Sequence, residues 1–183
     1  MILYDFTSLY TFIAFLNSKT SPQTTLRDSF TMTPTTQIAP LNILLADDDI
    51  DDCQFFKGAL EQLPLSAILT AVHDGEQLMQ LLTKDKYELP HVLFLDLNMP
   101  RKNGFECLSE IKQSKKLAKL PVIVFSTSHE EEVVNQLYKN GAQYFVRKPS
   151  EFSQFIKIIN SALALISVEG PSKPARENFV IMV

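Results

Sequence analysis

The sequence predicts an α/β fold in which a five-stranded parallel sheet is doubly wound, with helices on both of its faces. Three observations lead to this prediction. Short apolar runs alternate along the chain with segments whose apolar residues recur at helical spacing. The connections between these segments are short, as expected where each helix returns the chain to a parallel strand. No internal repeat and no second alternating region is visible, which indicates one folded domain over residues 41–167.

The strands are recognised as short apolar runs that end at polar or turn-forming residues. The first, LNILLA, lies between Pro40 and a block of aspartates and is too short to be a helix. The third, VLFL, is the most apolar and ends at Asp96, as is typical of a strand buried on both faces. The predicted strands are residues 41–46, 67–72, 92–95, 121–125 and 143–147.

The helices are recognised by their apolar spacing and by the residues that begin or end them. Pro64 ends the first helix, because proline disrupts a helix interior. Asp74 and Gly75 form a turn before the second, and Asn140 and Gly141 follow the fourth in the manner of a C-cap. The last helix has the clearest buried stripe, namely Phe152, Phe155, Ile156, Ile159, Leu163 and Ile166. The predicted helices are residues 51–63, 76–82, 105–111, 130–138 and 151–166.

The first residues of the chain are apolar but do not resemble a membrane span. Asp5 interrupts the run MILYDFTSLYTFIAFL, and no positive region precedes it. The uninterrupted part is shorter than the roughly 20 residues that a helix needs to cross a bilayer. We therefore expect no membrane partner.

The remaining terminal segments are expected to lack regular structure. Residues 17–40 are rich in Ser, Thr, Pro and Gln, so residues 1–40 are predicted to form a disordered N-terminal extension. Met32 lies just before the folded part, and two interpretations stay open: a native start at Met32, or a weakly ordered arm over residues 1–31. Residues 168–183 contain Gly and Pro and are predicted to form a loose tail, although the closing FVIMV is apolar enough to dock.

The composition excludes several classes of protein. Apolar residues make up 45% of the chain and charged residues 21%, which is ordinary for a globular protein that needs no metal or disulfide to fold. The formal net charge is −4 and no Lys/Arg-rich stripe is visible, so we expect no nucleic-acid partner. Cys53 and Cys107 lack the spacing of a metal site and are interpreted as small core residues.

Polar residues stand at the carboxyl ends of four predicted strands, where open α/β sheets bind their ligands. Because all the strands run in one direction, these residues are expected to meet at one edge of the sheet. The first strand is followed by Asp47, Asp48 and Asp49, the third by Asp96, and the fifth by Lys148; the fourth ends in Ser126 and Thr127.

This combination is typical of phosphoryl-transfer chemistry. Two carboxylates about 4 Å apart repel by roughly 4 kcal/mol at an effective dielectric near 20, so a cluster favours a bound cation. Mg²⁺ prefers such oxygen ligands, while Lys148 and the hydroxyl of Ser126 suit phosphoryl oxygens. With one carboxylate as nucleophile, these groups form a phosphoryl-transfer site. Asp51 and Asp52, in contrast, open a helix and are predicted to cap its free N–H groups.

With these residues, the chain resembles the receiver domains of bacterial two-component response regulators over residues 41–167. The motifs that carry the resemblance are ILLADDD, LFLDLNMP followed by Gly104, VIVFS and FVRKP. The stretches DDDIDD and FSTS are similar to those of phytochrome-associated regulators of the single-domain type. The resemblance implies a flavodoxin-like sheet with strand order 2-1-3-4-5, and a cytoplasmic protein that is not an enzyme in the usual sense.

The resemblance also implies a role for each site residue. Asp96 would accept the phosphoryl group, and Lys148 would pair with it. Ser126 would donate a hydrogen bond to a phosphoryl oxygen, and Phe145 holds the aromatic switch position, where the family often has Tyr. The implied Mg²⁺ ligands are Asp48, Asp47 (largely through water), Asp96 and the main-chain carbonyl of Asn98.

The implied partners are proteins. The donor would be a sensor histidine kinase or a phosphotransfer protein, and the output would be contact with a downstream protein that the sequence does not identify. A homodimer, where one forms, would use the fourth helix, fifth strand and fifth helix.

Four other interpretations compete with this one. An EF-hand calcium loop starting at Asp47 is rejected, because its sixth and twelfth positions are Asp52 and Gly58 rather than Gly and Glu. A dinucleotide-binding enzyme is rejected because G-x-G-x-x-G is absent after the first strand. A Mg²⁺-dependent phosphatase of the haloacid dehalogenase type is the enzyme alternative, although it needs an Asp where Asn98 stands. A receiver that acts as a scaffold without phosphorylation is separated from the main hypothesis by a phosphorylation assay.

Overall fold

The computed structural model describes residues 39–128, 130–169 and 173–182. Its strands are β1 (Leu41–Ala46), β2 (Ala67–Val72), β3 (Val92–Leu95), β4 (Val122–Ser126), β5 (Tyr144–Arg147) and β6 (Val180–Ile181). Its helices are α1 (Ile50–Glu61), α2 (Gly75–Thr83), α3 (Gly104–Gln113), α4 (Glu131–Lys139) and α5 (Phe152–Glu169), with a 3₁₀ turn at Arg176–Asn178. None of these helices is both long and apolar enough to cross a membrane. The predictions made for residues 1–38 fall outside the described residues.

The strands form one parallel sheet in the order β2-β1-β3-β4-β5-β6. The order 2-1-3-4-5 expected from the family resemblance is confirmed. The difference from the five-stranded prediction is β6, a two-residue strand that pairs with β5 along its free edge. Two residues next to a Gly/Pro-rich stretch carry too little periodicity to predict a strand, which is why this part of the chain was expected to be loose.

Alternate residues of the strands enter two separate cores, as expected of a doubly wound sheet. Ile43 and Leu45 of β1 face the layer formed by α1 and α5, whereas Leu44 faces the layer formed by α2, α3 and α4. Phe94 and Phe125 pack edge-on with Phe56 of α1 in the first layer. The central strands are therefore buried on both faces, which explains their nearly continuous apolar sequences.

The loop after β3 is held tightly against the strand that precedes it. The amide of Gly104 donates a hydrogen bond to the Leu97 carbonyl at 2.9 Å. A Cβ atom at position 104 would lie only 2.2 Å from the carbonyl oxygen of Asp96. Only glycine therefore allows α3 to begin this close to Asp96.

Residues 173–182, which we term the C-terminal segment, pack against α4 and β5. Phe179 is fully buried, and its ring meets that of Tyr138 on α4 at a centroid distance of 5.1 Å. The Tyr138 hydroxyl donates to the Pro174 carbonyl at 3.2 Å, and Arg176 Nε donates to Asn135 Oδ1 at 2.8 Å. The apolar end of the predicted tail thus covers an edge that would otherwise expose unpaired backbone groups.

Candidate functional site

Three carboxylates meet at the carboxyl edge of the sheet. Ala46 of β1 pairs with Leu95 of β3, and the Asp96 amide donates to the Ala46 carbonyl at 2.9 Å. The next residues of the two strands, Asp47 and Asp96, therefore leave the sheet side by side. Both are almost completely buried, whereas Asp48 is exposed. One oxygen from each of the three lies within 4.8 Å of the others; we term these residues the carboxylate triad.

Lys148, which follows β5, reaches the carboxylate triad across the end of β4. Its amide donates to the Ser126 carbonyl at 3.0 Å, so that its backbone is held beside β4. Its ammonium Nζ then lies 2.7 Å from Asp47 Oδ2 and 3.1 Å from Asp96 Oδ1. The Lys148 side chain is only 7% exposed, so these ion pairs are shielded from water and stronger than surface pairs.

Burial and charge act together on the pKa values of the site. Burial raises the pKa of Asp47 to about 6, although the nearby Lys148 opposes the shift. Burial acts to lower the pKa of Lys148, but its close contacts with the carboxylates of Asp47 and Asp52 and the charge of Asp96 outweigh this, so its pKa is raised. Lys148 thus stays charged, and one ammonium faces an excess of carboxylates.

The carboxylate triad fits a hard divalent cation. Asp47 Oδ2 is buried and, within the described part of the chain, accepts no well-directed hydrogen bond, even though Lys148 is close. Asp47 Oδ1 and Asp96 Oδ2 each accept one backbone N–H, from Asp49 at 3.1 Å and from Asn98 at 2.6 Å. Each carboxylate therefore keeps lone pairs that a cation could use, and oxygen ligands of this kind are those that Mg²⁺ or Mn²⁺ prefers.

The remaining predicted residues lie around this edge of the sheet. Ser126 is fully buried at the end of β4, and its Oγ accepts a long hydrogen bond of 3.4 Å from the Ser128 amide. Phe145 is buried in the core layer that includes Val134 of α4, whereas its neighbour Tyr144 faces the opposite layer. Phe145 and Val134 thus belong to the same core layer. The carbonyl of Asn98 stays a prediction as a metal ligand.

Asp52 is a site residue that the sequence reasoning missed. Asp49, not Asp51 or Asp52, is the N-cap of α1: its side chain accepts the amides of Asp51 at 2.8 Å and Asp52 at 3.2 Å. The prediction that Asp51 and Asp52 cap this helix with their side chains was therefore wrong. Asp52 Oδ2 instead accepts a hydrogen bond from Lys148 Nζ at 2.8 Å. The sequence shows the run of aspartates, but it does not show which of them faces Lys148 once α1 has formed.

The chain matches a known protein family over most of its described residues. The response regulator receiver domain family matches residues 43–160. The response regulator Rcp1 of Synechocystis sp. is 32% identical over 124 residues, covering 66% of this chain and 84% of Rcp1.

Two of the similar solved structures each cover about three quarters of this chain. The phosphorylated cyanobacterial phytochrome response regulator RcpA superimposes with a TM-score of 0.65 at 28% identity, covering 75% of this chain and 100% of RcpA. The Mn²⁺-bound form of Rcp1 superimposes with a TM-score of 0.63 at 30% identity, covering 74% of this chain and 100% of that one. The metal and the phosphorylation are properties of those two proteins.

Proposed function

The chain belongs to the response regulator receiver domain family, and from this premise we propose that it accepts a phosphoryl group on Asp96 in a Mg²⁺-dependent reaction. The resemblance to phytochrome-associated regulators read from the motifs is confirmed by the similarity to Rcp1 and RcpA. The observation that carries the proposal is the convergence of Asp96 with Asp47, Asp48 and Lys148 at one edge of the sheet.

Asp96 is proposed as the nucleophile because it is the carboxylate of the triad that directly follows the central strand β3. One of its oxygens faces Lys148, and the other accepts a hydrogen bond from the Asn98 amide. A carboxylate oxygen of Asp96 would form a bond to the phosphorus of a phosphohistidine. The P–N bond would break, and its electron pair would leave with the imidazole, which takes up a proton. Lys148 would move from Asp96 to a phosphoryl oxygen and balance its charge.

Mg²⁺ would be held by Asp47, Asp48 and Asp96, together with the Asn98 carbonyl. When bound, it would neutralise charge on the phosphoryl oxygens and on the carboxylates that surround them. Asp48, the exposed member of the triad, lies where an entering ion would meet the site first.

The phosphoryl group is proposed to act on the rest of the domain through Ser126 and Phe145. Ser126 Oγ would donate a hydrogen bond to a phosphoryl oxygen, which draws the end of β4 inward. Phe145 would then change its packing against α4, since both belong to one core layer. A local bond would in this way shift the population of two states of the α4, β5 and α5 face.

The proposed partners follow from this mechanism. A sensor histidine kinase or a phosphotransfer protein of the cytoplasm would donate the phosphoryl group, and a downstream protein would read the α4, β5 and α5 face. A homodimer through that face would also have to include the C-terminal segment, because β6 occupies the free edge of β5.

The experiment is phosphorylation with acetyl phosphate and Mg²⁺, followed by mass spectrometry. We expect one acid-labile acyl phosphate on Asp96, and none in Asp96→Asn, because an amide is a poor nucleophile. Asp49→Asn is the matched control, since asparagine caps a helix about as well as aspartate and the site is untouched. A phosphoryl group on another residue, or none on the wild type, would refute the proposal.

A further inference from the structure

The ammonium of Lys148 has three acidic neighbours, and they differ in what else they can bind. Asp47 and Asp96 belong to the carboxylate triad that fits a metal ion. Asp52 lies on the first turn of α1 and does not belong to the triad. Its Oδ2 is 2.8 Å from Lys148 Nζ in a well-directed hydrogen bond. Asp49 already caps the N-terminus of α1, so the Asp52 side chain is not needed for that role.

A metal ion in the triad would change the surroundings of Lys148. The cation repels the ammonium and competes with it for the oxygens of Asp47 and Asp96. Lys148 has a long, flexible side chain, which loses its position easily when such contacts weaken. Asp52 would keep its bond, because its carboxylate is not a ligand of the metal.

Lys148 has enough N–H donors to keep its hydrogen bond to Asp52 both before and after phosphorylation. An ammonium has three N–H donors. With one donated to Asp52, two remain for Asp96 before phosphorylation and for phosphoryl oxygens afterwards. Asp52 therefore does not compete with the phosphoryl group for Lys148.

We propose that Asp52 is a positioning residue that holds Lys148 beside Asp96 while Asp47 and Asp96 bind the metal ion. It acts through Lys148 and touches neither the phosphoryl group nor the metal. This inference rests on the proposed function for its consequence, but the anchoring of Lys148 can be measured without any phosphorylation.

The direct test is NMR of ¹⁵N-lysine-labelled protein at saturating Mg²⁺. We expect the Lys148 ammonium signal to be visible in the wild type, because hydrogen bonding and burial protect its protons from exchange. In Asp52→Ala the signal should be lost or shifted towards that of free lysine. Asp51→Ala is the matched control, since Asp51 is an exposed acid on the same turn, and it should keep the wild-type signal. An unchanged signal in Asp52→Ala would overturn the proposal.

The functional test measures the rate of phosphorylation by acetyl phosphate at saturating Mg²⁺. We expect a loss of about tenfold in Asp52→Ala, because Lys148 is then held less firmly beside Asp96, and a change of less than about twofold in Asp51→Ala. In a Lys148→Met background, Asp52→Ala should cause no further loss, because the two residues act as a unit. Losses that multiply would assign Asp52 a separate, structural role and contradict the proposal.

The two tests separate the possible failures. If the wild type takes no phosphoryl group, the proposed function fails, and the NMR experiment still decides whether Asp52 holds Lys148. If the wild type is phosphorylated and Asp52→Ala reacts as fast, only the role of Asp52 is refuted.

Discussion

Strand β5 borders two regions that are held by opposite kinds of interaction. At its carboxyl end, Lys148 forms ion pairs with two buried carboxylates and with the half-buried Asp52. Along its free edge, the C-terminal segment adds a strand and buries Phe179 against Tyr138. The first region gathers like charges whose mutual repulsion costs stability, whereas the second removes apolar surface from water and adds to it.

The comparison indicates that the C-terminal segment stabilises the fold, whereas the carboxylate site lowers its stability. A cluster of carboxylates that share one ammonium is unfavourable without a ligand, as is common for functional sites. Apolar burial at a sheet edge needs no ligand. Changes in the two regions should therefore affect different measurements: metal affinity and phosphorylation on one side, and the free energy of unfolding on the other.

The largest effect is expected at Phe179. Replacing this fully buried ring in Phe179→Ala should lower the free energy of unfolding by about 3 to 5 kcal/mol. Denaturant unfolding measures it as a shift of the midpoint. Met182→Ala is the control, because Met182 is 84% exposed in the same segment, and it should change stability by less than about 0.5 kcal/mol. Equal midpoints for both variants would show that the segment does not stabilise the sheet.

The next effect concerns metal binding. Asp48→Ala should lower the affinity for Mg²⁺ at least about tenfold, because it removes one of few charged ligands. Titration calorimetry measures this, and an unchanged affinity would refute the assignment. Without Mg²⁺ the same variant should be at least as stable as the wild type, because removing Asp48 relieves repulsion within the carboxylate triad. Asp51→Ala controls for the loss of a nearby charge that is outside the triad.

A third prediction uses the pKa of Asp47, which burial raises to about 6. Below that pH the carboxyl group is protonated and cannot bind a cation, so the affinity for Mg²⁺ should fall as the pH decreases through 6. The limiting slope is about tenfold per pH unit for one competing proton. Calorimetric titrations at pH 7.5, 6 and 5 would test this. A constant affinity over that range would mean that Asp47 is not a ligand or that its pKa is lower.

The smallest effect is expected for the hydrogen bond between the Tyr138 hydroxyl and the Pro174 carbonyl. Tyr138→Phe keeps the ring contact with Phe179 and removes only the donor. The free energy of unfolding should fall by about 0.5 to 1 kcal/mol. A loss as large as that of Phe179→Ala would show that the hydroxyl, rather than ring packing, holds the C-terminal segment.

Much of the candidate site could be predicted because parallel strands impose simple geometry. Asp47 and Asp96 each follow a strand directly, and neighbouring parallel strands end at the same edge, so their proximity needed only the strand boundaries. Lys148 and Ser126 were located by the same reasoning. Asp52 was missed because a helix turns its residues in different directions, and an acid in a first turn is usually explained by the helix end.

The sequence by itself determined the alternation of strands and helices, the two buried faces of the sheet and the meeting of the strand-end residues, because these depend on local patterns and on strand direction. The tertiary structure alone decided two features. Asp52 and Lys148 are 96 residues apart, and their contact depends on how α1 is rotated against the sheet. Strand β6 depends on the fit of Phe179 against Tyr138 and β5. Long-range packing sets both, and a short segment carries no local signal of the partner that it will meet.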